Sequence, residues 1–354
     1  MRRTASLLLL LIVAARLPAQ TQLTVRQLEG FLLSRDVQRE SDAAVARQLA
    51  SFQLSEQFTP ARLAILAAKL RRGPQTAEQI ELLAAASIFE PPPPAELVPE
   101  SPPDAREQNR ILEAARDYAN STARRLPDFL ALRSTRSYDN APPFAAGKHK
   151  PEFLMHFVGA RRRQVTVRAG QEVSAAEPAA ETSSSDHAEG MTTWGEFGPL
   201  LTTVLDDAQA GSVAWSRWQT GPNGVRLAVF HYSVPRSASH DLVDLCCDST
   251  FRDTPAYHGD LYIDPAFGTI LRITLDADLP PGAPVLVSRL SVQYAPVQIG
   301  GNTYVCPVRG TAVSVVHNQQ MELLKGGGPE RFVNLVDFTD YHKFVSTSRI
   351  VPSN

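Results

Sequence analysis

The sequence has few of the residues on which metal sites, redox sites and membrane spans depend. Its 354 residues include 3 cysteines and 8 histidines, and the histidines lack the regular spacing of a zinc site. Past residue 20, no apolar run approaches the roughly 20 residues that a membrane-spanning helix needs. We therefore expect no metal, no cofactor and no transmembrane segment in the mature chain.

A strong charge of either sign is also missing. The chain has 35 basic and 37 acidic residues, for a net charge of −2, whereas phosphate backbones require a concentrated basic surface. The one dense basic cluster, Arg161-Arg162-Arg163, is typical of an exposed strand or turn. Nucleic acid is therefore not an expected partner.

The first 19 residues have the order of a secretory signal peptide. Arg2 and Arg3 precede an apolar stretch at residues 7–15, and Leu17-Pro18-Ala19 gives a small-residue cleavage site. Its removal takes the net charge to −5, since three arginines and no acidic residue are lost. We expect export to the periplasm or out of the cell.

Export gives the three cysteines a structural interpretation, because disulfides persist in oxidising compartments. The adjacent Cys246 and Cys247 rarely bond each other, since the resulting ring is strained. The sequence therefore predicts a bridge from Cys306 to one of them and leaves open which one.

Residues 20–89 predict a small helical bundle. Apolar residues recur at spacings of three and four, and Ser41, Thr59 and Thr76 precede such runs as candidate N-caps. The predicted helices span 24–34, 41–52, 60–71 and 76–88. The Gly73-Pro74 turn faintly resembles a helix-hairpin-helix motif but lacks the second glycine, so we interpret it as a structural turn.

The next segment, residues 90–104, contains seven prolines and predicts an extended linker. A long helix is predicted from Ala105 to Arg125, with Ile111, Leu112, Ala115, Tyr118 and Ala119 as its apolar stripe. Pro127 ends it.

Beyond Phe129 the apolar residues alternate in short runs between turn residues, which is typical of antiparallel strands. Turns such as Asp264-Pro265 and Gly300-Gly301 support hairpins, and one helix is predicted from Thr193 or Gly195 to Leu205. The predicted strands are 153–158, 164–168, 213–219, 226–234, 241–246, 259–264, 269–277, 286–294, 303–316, 332–338 and 342–350.

The fold class that follows is α+β, with a small N-terminal helical bundle and a large curved antiparallel sheet at residues 105–354, covered by one or two helices. An alternating sheet has one apolar face that must be covered. If the helices cover it fully, it is a core; if they leave a gap, the sheet becomes a half-barrel that can hold an acyl chain or an apolar peptide. Trp215 and Trp218 could line such a cavity, and their spacing of three places them on opposite faces of a strand.

The residues that could act in catalysis can each be explained by a structural role. His258 and Asp260 would share one face of a strand, yet no Gly-x-Ser-x-Gly nucleophile accompanies them. His240 and Asp241 near Cys246 suggest a thiol–histidine pair, which a disulfide would disable. Asp264 begins a turn and is expected to accept backbone N–H groups.

A resemblance adds to this interpretation. The succession Gly195-Glu196-Phe197, Tyr257-His258-Gly259, Tyr294-Ala295-Pro296, Tyr304-Val305-Cys306-Pro307 and Phe338-Thr339-Asp340-Tyr341-His342 resembles a family of uncharacterised secreted proteins common in acidobacteria. More distantly, the hairpin order is similar to the β fold of lipoprotein carriers and sigma regulators. That resemblance implies a curved sheet around helices and, for the carriers, a lipid-binding cavity.

These observations predict a non-enzymatic envelope protein that binds an apolar ligand, either a lipid or a peptide segment, or a protein partner. Two alternatives stay open at this point. One is an envelope hydrolase, which would need a histidine–carboxylate pair or two carboxylates in a cleft. The other is an assembly protein that acts by strand addition at an open sheet edge.

Overall fold

The computed structural model describes residues 21–70, 73–142, 152–168, 171–173, 199–221, 224–245, 251–324 and 327–343. The predicted signal peptide at 1–19, Cys246, Cys247 and the end of the last predicted strand lie outside them. The described residues have the predicted α+β architecture, with helices packed on one large open antiparallel sheet.

Seven α-helices occur in these ranges. The first four form the N-terminal helical unit, close to the predicted bounds. They are α1 Val25–Leu33, α2 Asp42–Leu49, α3 Pro60–Lys69, α4 Pro74–Ala86, α5 Ala105–Arg125, α6 Pro199–Ala210 and α7 Gln319–Glu322.

The strands include two short pairs and one large sheet. They are β1 Thr21–Leu23, β2 Phe52–Leu54, β3 Phe129–Asp139, β4 His156–Arg168, β5 Gln171–Val173, β6 Ser212–Thr220, β7 Arg226–Val234, β8 Val243–Leu245, β9 Phe251–Asp253, β10 Ala256–Ile263, β11 Ile270–Asp278, β12 Val285–Ile299, β13 Asn302–Val316 and β14 Glu330–Lys343.

The large sheet has ten strands in the order β5-β4-β3-β14-β13-β12-β11-β10-β7-β6, all antiparallel to their neighbours. Its two ends, β5 and β6, do not pair with each other, so the sheet is open. At the Gly300-Gly301 turn both glycines have positive φ, 59° and 86°, which suits a two-residue hairpin. This confirms the turn predicted between β12 and β13.

One face of the sheet, here called the α5–α6 face, is covered by those two helices. Ile111, Ala115 and Ala119 of α5 are buried against Phe230 and Ile273 of the sheet. The small alanines at a spacing of four let the helix approach the strands closely. The predicted apolar stripe of α5 is confirmed, and this face of the sheet is a packed core.

The opposite face, here called the α4 face, carries the N-terminal helical unit. Leu82 of α4 packs with Tyr138, Val333 and Leu335 of the sheet. Glu81 accepts two hydrogen bonds of 2.9 Å from the guanidinium of Arg136. The hydrogen bonds from Arg136 lower the pKa of Glu81 despite its partial burial. The sheet therefore lies between two helical layers, an arrangement that the sequence pattern does not predict.

The start of α4 is capped by another helix. Thr59 and Ser41 cap their own helices as predicted, but α4 begins after Gly73 rather than at Thr76. The Asp42 carboxylate accepts from the backbone N–H groups of Gln75 and Thr76 at 3.0 and 3.1 Å. The side chain of Thr76, together with these two N–H groups, lowers the pKa of Asp42. The predicted Thr76 cap is wrong, and a carboxylate of the chain itself binds the N–H groups of this turn.

The proline-rich segment, residues 90–104, is packed rather than free. The Pro91 carbonyl accepts from the Gln57 N–H at 2.8 Å, and the Ser101 carbonyl accepts from the Trp218 indole N–H at 3.1 Å. The segment thus contacts both the N-terminal helical unit and the edge of the sheet.

Candidate functional site

A cleft of about 220 Å³ lies between the N-terminal helical unit and the α4 face. The helical side is formed by α2, β2, α4 and the 3-10 turn Ser87–Phe89, and the sheet side by β12, β13 and β14. α4 packs on β13 and β14 while the 3-10 turn reaches β12. The cleft lies between these two contacts.

The walls of this cleft are mostly apolar. The sheet contributes valines that alternate with residues of the other face, and the helices contribute leucines and an aromatic ring. Apolar lining residues include Leu82, Leu83, Phe89, Val287, Val313, Val315 and Val333. Such a surface can bury an apolar chain, at about 25 cal/mol for each Å² removed from water.

Two arginines and one acid are the charged residues among the lining residues. Arg289 lies 2.7 Å from Asp276 through its Nε and 3.8 Å from Glu90. Burial lowers the pKa of Arg331, and the nearby charge of Arg289 lowers it further. The lining therefore combines apolar walls with two cations, Arg289 and Arg331, and one acid, Glu90, and Asp276 pairs with Arg289 from outside the lining.

The two tryptophans lie on the other side of the sheet from this cleft. A bulge at Ser216 shifts the β6–β7 register between Trp215 and Arg217, so both rings point to the α5–α6 face, with centroids 4.7 Å apart. The prediction of opposite faces is wrong because the bulge adds one residue to the strand. Trp218 is buried in the core under α5 and α6, and Trp215 packs against that core.

Cys306 forms no disulfide bond. It is buried on β13 beside Ile299, Val336 and Phe338, and burial raises its pKa to about 12. A thiol with this pKa stays protonated and unreactive at neutral pH.

The predicted bridge from Cys306 is therefore not seen: Cys306 is a free cysteine on β13, opposite Ala295 of β12. Its two predicted partners, Cys246 and Cys247, lie outside the described residues.

His258 and Asp260 do not pair with each other. The His258 Nδ1 is 3.1 Å from an oxygen of Asp278, and the His231 Nδ1 is 3.0 Å from an oxygen of Asp260. The two imidazole rings are neighbours on the α4 face, with centroids 5.7 Å apart. The prediction that His258 and Asp260 share one face of the sheet is therefore correct, but the carboxylate that contacts His258 is Asp278.

His240 has a carboxylate partner that sequence proximity does not indicate. Asp207 of α6 accepts from the His240 Nδ1 at 2.6 Å, from the His240 backbone N–H at 2.9 Å and from the Tyr257 hydroxyl at 2.7 Å. The hydrogen bond to Asp207 raises the pKa of His240. Among the described residues, no Ser, Thr or Cys side chain is hydrogen-bonded to His240, so the pair has no nucleophile there.

The neighbouring Asp241 is half-buried and lies near Asp207. Burial, with the nearby charge of Asp207, raises its pKa to about 6. Its Oδ2 atom is buried and makes no hydrogen bond. The predicted association of His240 and Asp241 with a thiol cannot be located, since Cys246 and Cys247 lie outside the described residues.

The remaining sequence candidates have the structural roles predicted for them. Asp264 accepts from the Ala266 N–H at 2.9 Å in the β10–β11 turn. Gly268 in that turn has φ of 70°, and a Cβ there would lie 2.4 Å from the backbone of Ala114, so this glycine lets the turn pack on α5. Arg161 and Arg162 are exposed on β4 and Arg163 is half-buried there.

Neither a cluster of metal ligands nor a membrane-spanning helix occurs among the described residues. They contain no group of three or more His, Cys, Asp and Glu side chains placed to hold a metal ion. Across the same ranges, the helices are too short or too polar to span a bilayer.

Comparisons with known proteins give little further information. No protein-family model and no curated protein matches the chain. One solved structure, described as the complex structure of Pseudomonas aeruginosa MucA/MucB, is similar to part of this chain. The alignment covers 66% of this chain and 93% of the chain in that structure, with 13% sequence identity and a TM-score of 0.19. A likeness of this size is weak and distant, and the acidobacterial resemblance stays a prediction.

Proposed function

We propose that this protein is an exported envelope protein that binds the acyl chain of an anionic lipid in the cleft between its N-terminal helical unit and the α4 face. The observation that carries the proposal is an apolar cleft with Arg289 and Arg331 in its lining. No chemical step is part of this function.

The apolar walls supply the favourable free energy of such binding. Each methylene group that leaves water contributes about 0.8 kcal/mol. The volume of about 220 Å³ is smaller than the 300–1,000 Å³ that is usual for drug-sized ligands. A single short chain suits this space better than a multi-chain lipid or a folded partner.

Two cations in the lining favour an anionic head group. Arg331 is half-buried and lies near Arg289 in the cleft. A carboxylate or phosphate there would accept charge-assisted hydrogen bonds from these side chains, in addition to the contacts that they already make. Export, expected from the signal peptide at residues 1–19, would bring the cleft to envelope lipids.

Val287→Trp tests the cleft directly. Val287 lines the cleft and is half-buried, so an indole there fills the space that a chain would occupy. The matched control is Leu286→Trp, since Leu286 precedes it on the same strand, does not line the cleft and is 38% exposed. Dodecanoate binding, measured by isothermal titration calorimetry, is expected to be lost only in Val287→Trp.

Dodecanol and the Arg331→Met variant separate the contribution of the acyl chain to binding from that of the charged head group. Dodecanoate is expected to bind at least tenfold more tightly than dodecanol, and Arg331→Met is expected to remove that difference. Equal binding of dodecanoate to Val287→Trp and Leu286→Trp would place the ligand elsewhere. Native mass spectrometry that finds a bound peptide instead of a lipid would replace the proposed ligand.

A second candidate function, strand addition, has one observation in its favour. β5 pairs with residues 166–168 of β4, whereas β4 spans His156–Arg168, so this described pairing covers only one end of the strand. Sedimentation velocity tests it with Arg162→Pro, because proline breaks an added ladder. Concentration-dependent dimers that disappear in this variant would support strand addition, and a monomer at all concentrations would exclude self-association by this route.

A further inference from the structure

Two histidines on adjacent strands lie side by side on the α4 face, outside the cleft. His231 is on β7 and His258 is on β10. Their ring centroids are 5.7 Å apart and the rings are tilted by 53°. The two side chains are 49% and 38% exposed, so solvent and solutes reach both.

Each imidazole is held by a carboxylate of its own. The Nδ1 of His231 is 3.0 Å from Asp260, and the Nδ1 of His258 is 3.1 Å from Asp278. An imidazole that donates its Nδ1–H to a carboxylate has a lone pair on Nε2. Carboxylates in this position fix the tautomer and raise the basicity of metal-binding histidines.

The carboxylate of Asp260 is itself fixed. Its second oxygen lies 3.1 Å from the guanidinium of Arg217, and its backbone N–H donates to the Thr274 hydroxyl at 2.9 Å. The orientation of His231 is therefore set before any ligand arrives, which lowers the entropic cost of binding.

The ring separation is compatible with one shared ion. With zinc–nitrogen bonds of about 2.0 Å, two imidazoles on a tetrahedral ion have centroids about 5 Å apart. The observed separation of 5.7 Å is close to that value. We infer that His231 and His258 form a two-histidine site for a divalent transition-metal ion such as Zn²⁺.

The chemistry of the site selects the class of ion. Imidazole nitrogens suit zinc, copper and nickel, whereas magnesium and calcium prefer oxygen ligands. Two protein ligands leave the other coordination positions to water or to a group from a partner. The site lies on a different part of the sheet from the cleft. The metal-binding inference therefore does not depend on the lipid-binding proposal.

Zn²⁺ titration by calorimetry tests the site. We expect one Zn²⁺ to bind per chain, and His231→Ala and His258→Ala each to abolish that binding. Asp260→Asn and Asp278→Asn are expected to weaken it by about 10–100-fold, the usual effect of removing such a carboxylate. His317→Ala is the matched control, since His317 also pairs with a carboxylate, Glu322, at 2.7 Å and is 45% exposed.

A second measurement needs no variant. Zn²⁺ is expected to protect His231 and His258, but not His317, from modification by diethyl pyrocarbonate in the wild-type protein, as read by mass spectrometry. Calcium at the same concentration is expected to give no protection. Equal modification with and without Zn²⁺, or Zn²⁺ binding that survives both alanine substitutions, would overturn the inference.

Discussion

The two faces of the sheet are covered in different ways. On the α5–α6 face, small residues of α5 lie directly on the strands and form one large continuous apolar core. On the α4 face, the contact combines apolar side chains such as Leu82 with long charged ones, Glu81, Arg136 and Arg309. The cleft lies beside this mixed contact. One face of the sheet is thus covered by a continuous apolar core, and the other by a partly polar contact with a cleft next to it.

Truncating one core residue on each face of the sheet is the most direct test of this difference in packing. Ile111→Ala removes a fully buried side chain under α5 and is expected to cost about 4 kcal/mol of unfolding free energy. Leu82→Ala removes a buried side chain that already borders the cleft and is expected to cost about 2 kcal/mol, near the low end for such changes. Urea unfolding of both variants measures the difference, and equal costs would contradict the distinction between the faces.

Asp241, which has a buried oxygen without a hydrogen bond and lies near Asp207 of α6, gives the next largest effect. Its pKa in the folded protein is about 6 against an ordinary value of 3.8, so the folded state holds this proton more tightly than the unfolded state. Stability should therefore fall as pH rises from about 4 to 6. About two pKa units correspond to about 3 kcal/mol.

Asp241→Asn removes that penalty. The variant is expected to be more stable than the wild type at pH 7 and to match it near pH 3, in thermal unfolding followed by circular dichroism. A variant that is less stable at pH 7 would mean that the carboxylate has a favourable partner.

Trp218→Phe sharpens the comparison where the proline-rich segment reaches the sheet edge. The change removes the indole hydrogen bond to Ser101 and weakens the contact with Arg226, whose guanidinium carbon is 4.2 Å from the ring centroid. We expect a loss of about 1.5 kcal/mol in urea unfolding. Trp215→Phe serves as the control and should cost less, and the reverse order would indicate that the segment contributes little.

Glu81→Gln makes the smallest change, in the polar contact of the α4 face. The side chains of Glu81 and Arg136 are each 30% exposed, so the effect should lie near 1 kcal/mol, between those of surface and buried pairs. Because the folded-state pKa of Glu81 is lowered from 4.5, its contribution is complete above about pH 4.5 and is lost as pH falls through the lowered value. Urea unfolding should give a larger difference between the variant and the wild type at pH 7 than at pH 3.

Local signals in the sequence predicted much of the fold. The α5 helix has the predicted bounds because its apolar stripe and Pro127 are both encoded within one segment. The hairpins between β10 and β13 follow from alternation and turn residues. Strand β3 was missed because Arg133, Ser134, Thr135 and Arg136 interrupt the alternation, and the pairing of Arg136 with Glu81 is invisible in the sequence.

The candidate site was less predictable, since it depends on tertiary contacts. The cleft exists because the N-terminal helical unit packs on the second face of the sheet. The valines of β12, β13 and β14 that line it would have the same sequence pattern if the helices covered them completely. The bulge at Ser216 that turns both tryptophans to one face has no glycine or other local sign. Partners such as Asp207 for His240 and Asp278 for His258 meet through the fold alone.

The position of β14 has a consequence for the order of folding. This strand follows the others in the sequence but lies near the middle of the sheet, between β13 and β3. It pairs Lys343 with Phe129, across more than 200 residues of chain. The β10–β13 hairpins can form from local contacts, whereas β3, β4 and β5 have no place in the sheet until β14 is present. We expect assembly to be slow at this last step, because closing so large a loop has a high entropic cost.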